Sequence, residues 1–344
     1  MRFGRRRTWT GTAIGSAALA AVTLLAVQGC APAAPANAVS SAGHSLSISA
    51  AQAVYESYLA ASDSAAAQGN KAQALAIVAD AQWAQLKSQY RALSTSGIAV
   101  PRYQYGKPVF YVPALNGYPQ WFMVTVPRQT GSAGHLGPAV STIMLFDRYQ
   151  RGVRWTLNGT AVLDQPMPAI ARDRSGYATD VANNDPSLLL RPDVVGASQA
   201  AVVDDGPGSA AATAIAAGPQ TTGLYGGQAA IGRADTARGL HYEWLAVGAS
   251  YPQFELRTTD GGALTMYGLY LNTTTEHPGL AAGPPIPVPA EFTQLFTLPH
   301  EIGYHVVYAN WTYQFAAVDP PATAHNTKVD IIAATGGPTY SHAL

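Results

Sequence analysis

The sequence predicts an α+β fold built as two tandem units, in each of which helices precede a curled antiparallel sheet. Apolar residues recur at helical spacing over residues 47–93, and strand-like alternation replaces this spacing from residue 108 onward. A second succession of helix and strands follows residue 171, which predicts a second unit of the same class. The predicted segments are a signal peptide, a tether, a first unit and a second unit, at residues 1–29, 30–46, 47–171 and 172–344.

The N-terminal segment has the pattern of a bacterial lipoprotein signal. Four arginines within the first seven residues precede an uncharged apolar stretch over residues 13–27. At about 15 residues, this stretch suits a secretory signal and is short for a membrane span. It ends in Val27-Gln28-Gly29-Cys30, which resembles the lipobox, where an aliphatic and a small residue precede a lipidated cysteine. Gln28 departs from the small or aliphatic residue that is usual at its position.

Cys30 is therefore the predicted lipidation site. It is the single cysteine of the chain, and it is followed by an Ala-, Pro- and Ser-rich stretch typical of a flexible tether. Lipid on Cys30 is expected to anchor the protein to the cell membrane, facing the extracytoplasmic side, without spanning the bilayer. The alternative is an ordinary secretory signal whose cleavage site lies near a cysteine.

Composition and charge exclude several classes of protein. Of 344 residues, 48% are hydrophobic and 12% are charged, with 20 basic and 20 acidic side chains. The lack of a basic excess argues against a nucleic-acid partner. One cysteine excludes an internal disulfide and a cysteine-based zinc cluster. Removal of residues 1–29 leaves a net charge of −4, divided into +4 on residues 30–171 and −8 on residues 172–344.

Two helices and four strands are predicted in the first unit. Ser49 and Gln52 fit a capping box at the start of the first helix, and a second helix is expected over residues 71–93. The predicted strands are residues 109–112, 120–127, 142–146 and 153–162. Polar residues alternate in the last strand, so we expect one of its faces, which includes Asn158, to be exposed to solvent.

The second unit is predicted to begin with a helix and to continue with five strands. The helix is expected to start at Pro186 and to include Leu188. Asp260-Gly261-Gly262 predicts a hairpin turn. The predicted strands are residues 240–247, 253–258, 263–272, 304–318 and 329–334.

A short motif occurs once in each unit. Tyr118-Pro119-Gln120-Trp121 and Tyr251-Pro252-Gln253-Phe254 match, and each enters a predicted strand. Duplication and coincidence explain this match about equally well. The repeated order of helices and strands is the stronger indication that the two units are related.

Several structural motifs occur together along the chain. They are the lipobox, Ala-rich helices around Tyr55 to Tyr90, the hairpin RTTDGGAL at residues 257–264, and Pro320-Pro321 after a late strand. This combination resembles a family of actinobacterial surface lipoproteins of unknown function. The first unit also looks like the cone-shaped α+β fold of nuclear-transport-factor-2-like domains. These resemblances imply a fold and a location, and they transfer no catalytic residue.

Two kinds of motif that suggest metal binding lack the required spacing. His300 and His305 are five residues apart, whereas the zincin motif places two histidines four residues apart on one helix face. Asp204-Asp205-Gly206 and Asp260-Gly261-Gly262 are not followed by the oxygen ligands and terminal glutamate of a calcium loop. The sequence also has no nucleophile elbow and no phosphate-binding loop. It therefore predicts no catalytic residue, no metal and no cofactor.

The remaining candidate residues are titratable side chains suited to acid–base chemistry and aromatic side chains suited to recognition. Asp147, Asp164 and Arg154 of the first predicted sheet have no histidine partner, since His135 falls in a Gly-rich loop. His241, beside a tyrosine and a glutamate on a predicted strand, is interpreted as a surface or half-buried histidine. The 18 Tyr and 6 Trp are expected mainly in the core, with a sugar- or peptide-binding surface as the alternative.

Two functions from different classes follow. The first is a non-catalytic binding or scaffolding protein of the cell envelope, with membrane lipid bound through Cys30 and another envelope protein or a cell-wall component as partner. The second is a cell-envelope enzyme with an active site in the cone of an α+β domain. A groove or an exposed aromatic patch between the units favours binding. A pocket lined by a buried His, Asp or Glu with a shifted pKa favours the enzyme.

Overall fold

The fold is described from a computed structural model for residues 46–132, 134–280, 283–296, 305–325 and 327–344. The predicted signal peptide at residues 1–29 and the predicted lipidation site Cys30 lie outside these residues, as does the predicted tether apart from Leu46. Residues 300–304 of the motif that ends at His305 also lie outside them.

Six α-helices are present in the described part of the chain. They are Ile48–Ala67 (α1), Lys71–Leu75 (α2), Asp80–Ser96 (α3), Pro192–Asp205 (α4), Thr222–Ala237 (α5) and Ala290–Thr293 (α6). The N-cap of the first helix is Ser47, two residues before the predicted Ser49. The Ser47 hydroxyl accepts a hydrogen bond from the Ala50 amide at 3.1 Å.

Ten strands in the described residues form one antiparallel sheet, which places the protein in the predicted α+β class. The strands are Tyr103–Tyr105 (β1), Val109–Tyr111 (β2), Gln120–Ser132 (β3), His135–Arg148 (β4), Thr156–Leu163 (β5), His241–Gly248 (β6), Phe254–Arg257 (β7), Ala263–Glu276 (β8), Val306–Asp319 (β9) and Asp330–Ala343 (β10). The predicted hairpin turn at residues 260–262 connects β7 to β8.

The two halves of the sheet have the same connectivity. The strand order is β1-β3-β4-β5-β10-β9-β8-β6, with β2 added to β3 and β7 added to β8. Three consecutive strands form a meander in each half, and the halves meet where Ala333 and Ala334 of β10 pair with Leu163 and Val162 of β5. The sheet therefore continues across the boundary predicted at residue 171. A division into two tandem units is not confirmed, and the boundary stays a prediction.

The sheet carries apolar cores on both faces. On one face, α1 packs against the first half through Tyr55, Phe122 and Phe146, and the two phenylalanine rings stack at 4.9 Å. A separate cluster joins α4 to strands β8 and β9. On the opposite face of β3, Trp121 lies 5.1 Å from Phe254 of β7, measured between ring centroids. Because β3 and β7 are far apart in strand order, the sheet must curl to bring these rings together.

The predicted single helix over residues 71–93 is wrong, since α2 and α3 are separate helices. The chain between them pairs with β5: the Leu157 amide donates to the Ile77 carbonyl at 3.1 Å, and the Ala79 amide donates to the Leu157 carbonyl at 3.0 Å. Residues 77–79 thus satisfy their backbone groups through the sheet rather than through a helix. Asn158 of β5 is buried, so the expected solvent-exposed face is wrong there as well.

The start of the second half also differs from expectation. Helix α4 begins at Pro192, a favoured first helical position, and not at Pro186. Leu188 instead forms an isolated bridge with Pro321. Helix α5 was not predicted, because its glycine-rich sequence has low helix propensity.

Candidate functional site

The two Tyr-Pro-Gln-aromatic segments approach each other across the curl of the sheet. The first leads into β3 and the second leads into β7. Their last residues, Trp121 and Phe254, are both buried and pack with ring planes at 43°. In the sheet topology, however, β3 corresponds to β8 and not to β7. The motif therefore does not mark equivalent strands of the two halves.

A groove of about 400 Å³ opens between these segments. Its lining consists of residues 115–119, 121, 180–183 and 252–255. Its volume lies within the range of about 300–1,000 Å³ that is usual for small-molecule sites. Both halves of the sheet, and the connection between them, therefore line the groove.

Local hydrogen bonds hold the three segments in place. The Val181 amide donates to the Glu255 carbonyl at 3.1 Å, so the connection lies along the free edge of β7. The Asp193 amide at the start of α4 donates to the Asn183 carbonyl at 2.9 Å. On the first segment, the Arg148 guanidinium lies 5.6 Å from the centre of the Tyr118 ring, which is 41% exposed at the groove.

Glu255 is the most unusual lining residue. Its side chain is buried, with the residue 1% exposed, and its Oε1 atom has no hydrogen-bond partner. Burial, followed by the negative charges of Asp193 and Asp180, raises the pKa of Glu255 to about 8. The carboxyl is therefore mostly protonated at neutral pH.

A second acceptor atom at the groove is also unpaired. The Oε1 atom of Gln253 is buried and makes no hydrogen bond. Buried polar atoms without a partner cost about 1–3 kcal/mol each, so two of them on one groove require an explanation. Among the described residues that line the groove there is no Lys, Arg or His, whereas Asp180 and Glu255 are both present.

Two other surface grooves are larger but lack this feature. One, of about 640 Å³, includes Lys107 and Met167 in its lining, and the other, of about 570 Å³, lies between α1 and Trp155. No described residue that lines either of them carries a buried polar atom without a partner. Unsatisfied hydrogen-bonding capacity therefore distinguishes the groove at Glu255.

A pair of carboxyl groups lies close to the groove. Asn158 donates to the Asp80 carboxylate at 2.7 Å, Tyr149 donates to it at 3.4 Å, and Thr156 donates to Asp147 at 3.3 Å. Burial, followed by the charge of Asp80, raises the pKa of Asp147 to about 6. The adjoining space is only about 20 Å³, roughly one water molecule, so no organic ligand fits there.

The histidines considered from sequence do not assemble a site. His241 lies on β6, within 3.5 Å of carboxylate oxygens of Glu243 and Glu276, and is exposed. The rings of His277 and His305 are 6.1 Å apart, but the rest of the His305 motif is outside the described residues. No group of three or more His, Cys, Asp or Glu side chains suited to a metal ion occurs in the described residues.

Asp204, Asp260 and Arg154 make hydrogen bonds within the fold, and Asp164 lines the separate groove of about 640 Å³. Asp204 accepts a hydrogen bond from the Ala246 amide at 2.6 Å. Asp260 accepts one from Gly262 at 3.2 Å within the hairpin turn. Arg154 donates to the Ala76 carbonyl at 3.1 Å. Asp147 is the one sequence candidate in this group that the structure places beside the groove.

Sequence reasoning missed Glu255 and the connection at residues 180–183. In β7, Glu255 and Arg257 alternate with Phe254 and Leu256, a pattern that predicts an exposed glutamate and gives no signal of its burial. The repeated Tyr-Pro-Gln motif was the available signal, since residues of both copies line the groove.

The described residues contain no helix that is both long enough and apolar enough to cross a bilayer.

Fold and groove together define a class: an α+β protein with a curled ten-stranded sheet and a ligand-sized groove between the halves of that sheet. The chain belongs to the family of the domain of unknown function DUF8094, which matches residues 44–342. The match covers the groove and all of the sheet except Ala343, the last residue of β10.

A curated relative is similar to part of the chain. It is an uncharacterized lipoprotein of Streptomyces avermitilis, 29% identical over 160 residues. The matched region is 46% of this chain and 44% of the relative, so the chain spans less than half the length of that protein. No solved structure matches the chain.

Proposed function

We propose that this protein is a lipid-anchored, extracytoplasmic binding protein that takes a compact ligand in the groove at Glu255. The observation that carries the proposal is the pair of buried acceptor atoms, on Glu255 and Gln253, that have no partner in a groove of ligand size. A ligand with hydrogen-bond donors supplies the missing partners and offsets their desolvation. The ligand's source is the envelope, either a cell-wall component or a segment of another envelope protein.

The anchor in this proposal is lipid on Cys30. The lipobox-like sequence and the name of the Streptomyces relative support it. A single lipidated cysteine holds a protein at the membrane surface without a spanning helix.

Metabolic labelling with a palmitate analogue tests the anchor. Wild-type protein is expected to incorporate the label and to fractionate with the membrane, because Cys30 carries the lipid. Cys30→Ala is expected to lose the label. Equal labelling of both proteins, or no labelling of the wild type, contradicts the anchor.

Ligand-observed saturation-transfer NMR tests the groove. The full chain in detergent micelles is screened against a library of small saccharides, amines, amino acids and alcohols. Ala182 is an exposed residue of the groove lining, so Ala182→Trp fills the groove with an indole and is expected to weaken binding at least about tenfold.

Ala230→Trp is the matched control, because Ala230 is exposed on α5 and away from the groove lining. It is expected to bind the same probes as the wild type. Equal binding by all three proteins, or an absence of binding across the library, contradicts a binding groove.

An envelope enzyme is the second candidate, and Glu255 is the observation that favours it. A carboxyl that keeps its proton at neutral pH can act as a general acid. Binding is the better-supported function, because no hydrogen-bonded partner orients the Glu255 carboxyl as catalysis requires. A ligand recovered chemically unchanged after long incubation supports binding, and a converted ligand supports the enzyme.

A further inference from the structure

The charged side chains of the groove lining indicate the chemical class of its ligand. Its two ionisable carboxyl side chains belong to Asp180 at the exposed rim and Glu255 on the buried floor. The lining has no cationic side chain among the described residues, so neither carboxyl is neutralised from within the groove. Such a site disfavours anions and favours a ligand that brings its own positive charge.

The unpaired acceptor atoms add a second feature of cation recognition. An amine is also a hydrogen-bond donor with no acceptor when protonated, which matches the two unpaired acceptors of Glu255 and Gln253.

We infer that the groove binds the protonated amine of a compact organic ligand, with the ammonium paired to the Glu255 carboxylate. This inference rests on the proposed function, since it names the chemical class of ligand for the same groove. The pairing requires that Glu255 lose its proton when the ammonium enters.

Charged groups around Glu255 determine how readily its carboxyl loses the proton. Asp180 on the connecting segment and Asp193 on α4 both favour the protonated carboxyl. Arg191 partly offsets Asp193, with 3.3 Å between their nearest charged atoms. From β8, the cross-strand neighbour of Glu255 is Thr265, and from the first segment the titratable lining residue is Tyr118. Of these groups, Glu255 is the one whose proton an incoming ammonium displaces.

The affinity of the groove for an ammonium ligand is expected to depend on pH through the ionisation of Glu255. With a pKa of about 8 in the free protein, Glu255 is about one-tenth ionised at pH 7 and about nine-tenths ionised at pH 9. An ammonium ligand binds the ionised form, and a primary alkylamine keeps its proton through most of this range. Affinity is therefore expected to rise about tenfold from about pH 7 to about pH 9.

The test compares n-butylammonium with n-butanol, which has a similar shape and no charge, on the full chain in detergent micelles. Dissociation constants are measured by saturation-transfer NMR at about pH 7 and about pH 9. Butylammonium is expected to bind more tightly than butanol and to gain about tenfold at the higher pH, while butanol does not gain. Ala182→Trp is expected to weaken both probes, because it fills the shared groove.

Glu255→Gln is expected to remove both the preference for the amine and its pH dependence while keeping butanol binding, which shows that the groove remains folded. Glu243→Gln is the control, since Glu243 is exposed on β6 and away from the groove. Groove-dependent binding of butanol without a preference for butylammonium overturns this inference and leaves the proposed function standing. A lack of groove-dependent binding by either probe overturns both. A butylammonium affinity that is independent of pH or unaffected by Glu255→Gln also overturns the inference.

Discussion

At the scale of single residues, Glu255 is the feature that separates this groove from the rest of the surface. A carboxyl group is rarely buried without a partner, because desolvation strongly disfavours its charged form. The Glu255 carboxyl therefore stays protonated up to a pKa of about 8. The same carboxyl therefore has consequences for stability as well as for binding.

The stability consequence has a definite sign. The pKa of Glu255 is about 8 in the folded protein and about 4.3 in an unfolded chain. Between these values the unfolded chain releases the proton and the folded protein keeps it. The free energy of unfolding therefore falls as the pH rises from about 4.5 to about 8.

Glu255→Gln is expected to remove this contribution. At about pH 5 the variant and the wild type are expected to melt at similar temperatures, because glutamine resembles the protonated acid. At about pH 8 the variant is expected to melt at least about 2 °C higher. Thermal denaturation monitored by circular dichroism at both pH values measures the difference.

The exposed Glu243→Gln serves as the control for this measurement, and it should show no pH-dependent gain relative to the wild type. A melting-temperature difference between Glu255→Gln and the wild type that is the same at both pH values would contradict the raised pKa.

At the scale of secondary-structure elements, the sequence predicts strands better than helices. Strands β6 to β9 overlap the predicted runs because their alternation and turn residues are local signals. The break between α2 and α3 has no comparable signal, since it depends on Val78 meeting Leu157 of a distant strand. Tertiary pairing overrides helix propensity there.

In helix α5, tertiary contacts instead stabilise a helix that the local sequence does not predict. Its glycines weaken the local preference for a helix, yet contacts from β6 stabilise it. Tyr225 of α5 packs edge-on against Trp244 at 6.1 Å, and Tyr242 donates a hydrogen bond to Gln228. Neither contact could be inferred before the position of β6 was known.

The candidate site was only partly predictable for a related reason. The repeated Tyr-Pro-Gln motif is visible in the sequence, and a groove between the halves was one of the expectations. The convergence of the two copies depends on the curl of the sheet, and the burial of Glu255 depends on the connection at residues 180–183 and on α4. These are contacts between segments far apart along the chain, which local pattern does not encode.

At the scale of the whole molecule, the described chain has a continuous sheet that curls until its two halves share a core and a groove. The ligand site is therefore built jointly by the first half, the second half and their connection. A ligand in the groove contacts all three, so binding is expected to restrain them together.

Hydrogen–deuterium exchange of the full chain, with and without a saturating amount of the tightest-binding probe from the NMR library, measures whether one ligand restrains all three segments. We expect slower exchange in residues 115–121, 180–183 and 252–255 at the same time, because one ligand bridges the three segments. Ala182→Trp should abolish this protection. Protection confined to another surface, such as the groove between α1 and Trp155, would contradict the account.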